Sequence, residues 1–312
     1  MKGPLFYSKI LLFGEYGIIQ DSKGLSIPYN FYNGALKREV NPSEEAIKSN
    51  ENLKRFVSYL ETLQSEQPEL VTFDLVTLKN DVATGMFFDS SIPQGYGVGS
   101  SGALVAAIYD KYAQHKITVL ENLTREKLLK LKIVFGQMES FFHGKSSGLD
   151  PLNSYLSIPI LINSKDNIEA TGIPTQSLEG NGAVFLLDSG IVGETAPMVT
   201  IFMEKLKDQG FRKMLKSEFI KHTDACVENF LGGDMKSLFA NTKKLSKVVL
   251  NNFKPMIPEH FHGIWQKGID SNDYYLKLCG SGGGGYILGF TQNLEKARIS
   301  LKDYKLEVVY QF

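Results

Sequence analysis

Two glycine-dense stretches constrain this chain more than any other feature: QGYGVGSSGAL at 94–104 and KLCGSGGGGYILGF at 277–290. Neither glycine cluster suits the interior of a helix or strand, because glycine loses more backbone freedom on ordering than any other residue. The first stretch carries Gly95, Gly97, Gly99 and Gly102 with the paired hydroxyls Ser100 and Ser101, then turns apolar. Backbone N–H groups of such a loop can converge on an anion, and a helix starting at its end adds a positive pole. Three readings stand: the phosphates of ATP, the pyrophosphate of a dinucleotide, or a flexible loop with no ligand. Gly97, Gly99 and Gly102 fit G-x-G-x-x-G, and Glu121 lies at about the distance of a ribose-binding acid. A dinucleotide loop, however, follows directly on a buried strand, and here DSSIPQ intervenes. Paired serines also suit a magnesium–phosphate site better than close packing on a pyrophosphate. In the second stretch Gly280 and Gly282 to Gly285 fit a backbone that passes close to something, with a flexible hairpin as the plainer reading.

Two carboxylates stand out in MESFFHGKSSGLDP, 138–151. Glu139 falls near the end of a predicted helix and Asp150 follows a turn. One carboxylate could hold a hard cation with a serine hydroxyl while the other works on a substrate hydroxyl, the two roles phosphoryl transfer requires. The plainer reading makes Glu139 a surface helix residue and Asp150 a turn cap before Pro151. Lys9, alone in an apolar strand, either snorkels outward or reaches Asp150 and holds that carboxylate ionised.

With 312 residues, 43% of them hydrophobic, the chain is long enough for two domains. The balance of 34 Lys and Arg against 34 Asp and Glu, without blocks of like charge, argues against nucleic acid or a membrane surface as partner. Cys226 and Cys279 are too few for a disulfide framework or a zinc site, which places the chain in a reducing, cytoplasmic compartment. No apolar run approaches a membrane span.

The pattern predicts strands at 5–13, 71–79, 183–188 and 305–312, and a strand–glycine–strand unit over 273–290. It predicts helices at 43–66, 103–115, 124–143 and near 293–301, with three helical stretches across 195–252. Ser43 and Thr124 are the expected caps. Ile47, Leu53, Phe56, Val57, Leu60 and Leu63 form the expected apolar stripe of the first helix. Neither half reads as repeated βα units, so the class is α+β, with a break in the polar, turn-rich 165–182.

The ordered triplet KILLFGEYGII, PQGYGVGSSGAL and KLCGSGGGGYI resembles the GHMP small-molecule kinases, and spans Lys9 to Tyr286. HGKSSGLD at 143–150 is most similar to the mevalonate kinase branch, whose pattern is H-G-x-P-S-G-x-D; Ser146 stands where that pattern has Pro. The resemblance implies ATP- and Mg2+-dependent phosphorylation of the primary hydroxyl of mevalonate, giving 5-phosphomevalonate. Phosphomevalonate kinase or another small-molecule GHMP kinase is the alternative, the former favoured by Tyr16 after Glu15. An NAD(P)-dependent oxidoreductase is the reading from a different class. By position, Asp150 becomes the catalytic or orienting carboxylate, Lys9 its cationic neighbour, and Glu139 with Ser101 the magnesium ligands. Gly95, Gly97, Gly99, Ser100, Ser101 and Gly102 would line the triphosphate, and Glu15, Tyr16, Thr195, Gly282 and Gly283 would border the acceptor. A carboxylate on the acceptor calls for Arg or Lys, and Lys145 is the nearest in sequence to Asp150. The implied fold has an N-terminal domain, 1–170, similar to ribosomal protein S5 domain 2. A ferredoxin-like α/β sandwich, 171–312, would follow, with ATP in the groove between them and a homodimer as a possible assembly.

Overall fold

The computed structural model describes residues 4–119, 122–177 and 179–312; Glu121 lies outside the described residues. The chain forms two compact units, each assembled from separate stretches.

The first unit comprises Met1–Lys9, Pro28–Pro93 and Gly99–Ile158. Its strands are the start of β1 (Phe6–Phe13), the second half of β2 (Gly24–Lys37), and β3 (Phe87–Ser90). β2 and β3 pair antiparallel from Gly34↔Ser90 to Lys37↔Phe87. Its helices are α1 (Glu44–Glu66), α2 (Leu75–Ala83), α3 (Ser100–Tyr112), α4 (Arg125–His143) and α5 (Leu149–Leu156). α1 and α4 begin where their caps predict: Ser43 accepts from the Ala46 N–H and Thr124 from the Lys127 N–H. α1 buries Leu53, Phe56, Val57, Leu60 and Leu63, but Ile47 is half exposed near the helix start, so the apolar stripe is shorter than predicted.

The segment 71–79 is not the strand its alternation predicts. Asp74 caps α2, accepting from the Thr77 N–H at 3.0 Å and from Thr77 Oγ1 at 2.6 Å. Leu78 and Val82, four residues apart, then face the core together. A strong local cap outweighed the β preference of Val71, Phe73 and Val76, and only Phe73 keeps a bridge, to Ala113.

The second unit comprises Ile10–Ile27, Gln94–Val98 and Pro159–Phe312. The first half of β2 pairs with β4 (Ile160–Ser164), which pairs in turn with β5 (Asn167–Ala170). A second sheet runs in the order β7 (Tyr275–Leu278), β8 (Tyr286–Thr291), β6 (Ala183–Asp188), β9 (Leu306–Gln311). The pairings within it are antiparallel. Its helices are α6 (Thr195–Lys205), α7 (Gln209–Met214), α8 (Lys221–Leu231), α9 (Met235–Asn252), α10 (Phe261–Ser271) and α11 (Leu294–Ser300), with a π turn at Leu215–Ile220 joining α7 to α8. Phe185, Phe230, Phe290, Trp265 and Tyr310 are fully buried and form the centre of this core. No helix among the described residues is long and apolar enough to cross a membrane.

Candidate active site

The site of the first unit is built on the start of α3. Gly99 is its N-cap, with φ +83°, and no side chain caps the helix. The first-turn N–H groups of this 13-residue helix therefore have no intrahelical acceptor and stand at its positive pole. Ser100 and Ser101 are the first two helical residues. A Cβ on Gly99 would lie 3.1 Å from Lys9 Cγ, so glycine here leaves room for the lysine stem. A Cβ on Gly102 would lie 2.7 Å from the Asp150 carbonyl carbon and the Pro151 nitrogen. That glycine is required by the contact between α3 and α5, whatever else the loop binds.

Lys9 is 4% exposed, which rules out snorkelling. Its Nζ lies 2.9 Å from Asp150 Oδ1. Asp150 is the second residue of α5, where the helix field favours a negative charge, and its N-cap Gly148 has φ +74°. Glu139 is 3% exposed on α4 and is not the surface residue of the plainer sequence reading. Ser101 Oγ donates to its Oε1 at 2.8 Å and Ser146 Oγ to its Oε2 at 2.5 Å. His143 Nε2 lies 3.1 Å from Ser101 Oγ. Burial raises the Glu139 carboxyl from 4.5 to about 7, helped by the Asp150 charge and opposed by the two serine hydrogen bonds and Lys9. Ser146 and His143 were not among the expected site residues. For His143 a signal existed, since it lies one helical turn beyond Glu139 on the same face.

One carboxylate with one hydroxyl fits Mg2+ that arrives with phosphate oxygens and keeps several waters. Among the described residues, no group of three or more His, Cys, Asp and Glu is arranged to hold a metal ion by itself.

The remaining expected residues belong to the second unit, apart from Lys145, which is exposed in the turn between α4 and α5 of the first. A Cβ on Gly95 would lie 2.4 Å from Val192 Cγ1, and one on Gly97 would lie 2.6 Å from the Cys279 carbonyl oxygen. A Cβ on Gly285 would meet Tyr96 Cα at 2.4 Å. The Gly193 N–H donates to the Gly95 carbonyl at 2.9 Å. What the second glycine run passes close to is thus the first glycine loop, backbone against backbone. Gly282 and Gly283 are held likewise, their Cβ positions 2.6 Å from the Met256 carbonyl oxygen and 2.8 Å from Met198 Sδ.

Glu15 is buried in an ion pair with Lys277, Oε1 to Nζ 2.6 Å. Lys277 was missed, although a lone lysine ahead of a glycine run is a visible oddity. Tyr16, with φ 60°, donates its hydroxyl to the Ser281 carbonyl at 2.6 Å and packs its ring on Phe202. Burial pushes its phenol pKa up, so it stays protonated. Thr195 is the first residue of α6, and Ser281 Oγ donates to its Oγ1 at 3.3 Å.

Residues 60–157 match the model of the GHMP kinases N terminal domain. This segment is similar to a GHMP kinase N-terminal domain. It contains α3, α4 and α5, and with them Ser101, Glu139 and Asp150. No curated protein sequence matches the chain. Among solved structures, L. major mevalonate kinase in complex with R-mevalonate is 17% identical with a TM-score of 0.63, covering 100% of this chain and 99% of that one. Streptococcus pneumoniae phosphomevalonate kinase in complex with phosphomevalonate and AMPPNP is 11% identical with a TM-score of 0.63, covering 99% and 100%. Lactococcus lactis galactokinase complexed with galactose is 11% identical with a TM-score of 0.65, covering 98% and 92%. These likenesses show that the GHMP kinase fold extends over the whole chain, and kinases of three different acceptors share it to a similar degree. The dinucleotide reading does not survive. The pairings β2–β3, β2–β4, β4–β5, β6–β8, β6–β9 and β7–β8 are antiparallel, whereas a dinucleotide loop needs a parallel βαβ unit.

Proposed function

We propose that this chain transfers the γ-phosphoryl group of ATP to the primary hydroxyl of mevalonate, giving 5-phosphomevalonate and ADP. The observation that carries the reading is the Lys9–Asp150 pair, 2.9 Å apart, in the same unit as the uncapped start of α3. Asp150 accepts the hydrogen bond of the acceptor hydroxyl and takes its proton as the new P–O bond forms and the bond to ADP breaks. Lys9 pairs with that carboxylate and offsets charge building on the attacking oxygen. The N–H groups of Ser100, Ser101 and Gly102 and the positive pole of α3 receive phosphate oxygens. Glu139 and Ser101 would hold Mg2+, which when bound neutralises phosphate charge. Positioning and electrostatics supply most of the catalysis, as in phosphoryl transfer generally.

HGKSSGLD favours mevalonate, and the GHMP kinase match with mevalonate and phosphomevalonate kinases among the structural neighbours supports the class. Tyr16 favours 5-phosphomevalonate as a second reading. Lys145 is assigned to the acceptor's carboxylate, and Lys145→Ala should raise the acceptor KM while leaving that of ATP unchanged. The deciding experiment is ADP release with ATP and Mg2+ in parallel on mevalonate, 5-phosphomevalonate, galactose and homoserine. Turnover on mevalonate alone is expected; turnover on 5-phosphomevalonate alone would transfer the assignment to the second reading.

A further inference from the structure

Ser146 stands where the related pattern has a proline, and its side chain is fully engaged. Its Oγ donates to Glu139 Oε2 at 2.5 Å and accepts from the Gly148 N–H at 3.0 Å. Its own N–H is held by Ser140 Oγ at 3.3 Å, and Ser140 Oγ donates to the Gly136 carbonyl at 2.7 Å. The turn is also packed tightly on α4, since a Cβ on Gly148 would lie 2.0 Å from the Lys132 carbonyl oxygen. Ser146 is thus fixed from α4 at its backbone and from the α5 N-cap at its side chain.

Glu139 is held at both oxygens, Oε1 by Ser101 and Oε2 by Ser146. A carboxylate with one oxygen anchored can still rotate about its terminal torsion, which is broad and nearly two-fold. Anchoring the second oxygen removes that freedom. A proline at this position has neither a hydroxyl to donate nor an N–H for Ser140. The hydrogen bond is therefore one this chain makes and the related pattern cannot.

We propose that Ser146 is a positioning residue that fixes the Glu139 carboxylate for its cation and ties it to the start of α5, two residues before Asp150. The proposal rests on the reading of Glu139 and Ser101 as the Mg2+ site. Ser146 touches no reacting atom and acts through Glu139.

The test is calorimetric binding of Mg2+·AMPPNP to the full chain, with thermal melting of the same proteins without ligand. Ser146→Ala should weaken Mg2+·AMPPNP binding by about 10-fold and at most about 150-fold, the loss of one hydrogen bond to a charged group. Ser146→Thr, which keeps the hydroxyl, should restore binding to within about twofold of the parent. In the Glu139→Gln background, Ser146→Ala should cost little more, because residues that act as one unit are not additive. Equal binding by Ser146→Ala and the parent, failure of Ser146→Thr to rescue, or full additivity with Glu139→Gln would each overturn the proposal. If the parent chain binds no Mg2+·AMPPNP, the proposed function fails instead. The melting temperatures then decide separately whether the two side chains act as one unit: non-additive losses for Ser146→Ala and Glu139→Gln sustain the coupling of Ser146 to Glu139, and additive losses refute it.

Discussion

Lys9 Nζ stands 2.9 Å from Asp150 Oδ1, with the lysine side chain sealed from solvent and the aspartate about a third exposed. A buried ammonium persists only when paired, and the open side of the carboxylate is where an acceptor hydroxyl can approach. Asp150→Asn should lower kcat by about 10²- to 10⁴-fold with little effect on the KM for ATP. Steady-state ADP release measures both. Near-normal turnover by the variant would remove Asp150 from the reaction. Lys9→Met should also lose activity, through the unpaired carboxylate it leaves.

Glu139 carries a testable pH signature. Burial, then the Asp150 charge, raises its carboxyl from 4.5 to about 7. Between those values the folded chain holds a proton that the unfolded chain has released. Its contribution to stability is therefore favourable at low pH and declines as pH rises through that window. The melting temperature of the parent relative to Glu139→Gln should fall by a few degrees between about pH 5 and about pH 7.5 and then level off. Scanning both proteins without magnesium or nucleotide checks this. A difference independent of pH would mean an ordinary carboxyl.

The glycines of the first loop should divide by what they do. Gly97→Ala places a Cβ 2.6 Å from the Cys279 carbonyl oxygen at φ +77°, and the dihedral alone costs ~1–3 kcal/mol. It should lower the melting temperature strongly. In Gly99→Ala the new Cβ meets the flexible Lys9 stem at 3.1 Å. Its melting loss should be smaller, and its kcat loss larger in proportion, because Lys9 is displaced from Asp150. Equal ratios of activity to stability loss would contradict this division.

The buried Glu15–Lys277 pair, 5% exposed on each side, makes a separate prediction for the second unit. Lys277→Met removes the cationic partner of a buried carboxylate and should cost about 3–5 kcal/mol. The double variant Glu15→Gln, Lys277→Met should recover a large part of that loss. Chemical denaturation of the single and double variants measures the recovery.

Local chemistry along the chain was enough for α1 and α4, because Ser43 and Thr124 cap helices by contacts three residues away. It was also enough for β6 and β9, whose apolar runs are short and bounded. Motif order carried the resemblance, and the lack of repeated βα units carried the fold class. β2 escaped because Gly24, Pro28 and Gly34 interrupt its pattern, and α5 because eight residues give too little periodicity to read. The segment 71–79 was misread because the Asp74 cap competes with an equally good alternation, and only the core that Leu78 and Val82 enter decides between them. What tertiary structure alone decided is which glycines pack backbone on backbone and which polar groups meet. Gly97 and Cys279, or Ser101, Glu139 and Ser146, are brought together by packing across elements, and no local interaction along the chain encodes such distances. The burial that lifts the Glu139 carboxyl toward neutrality exists only once α3, α4 and α5 have closed around it.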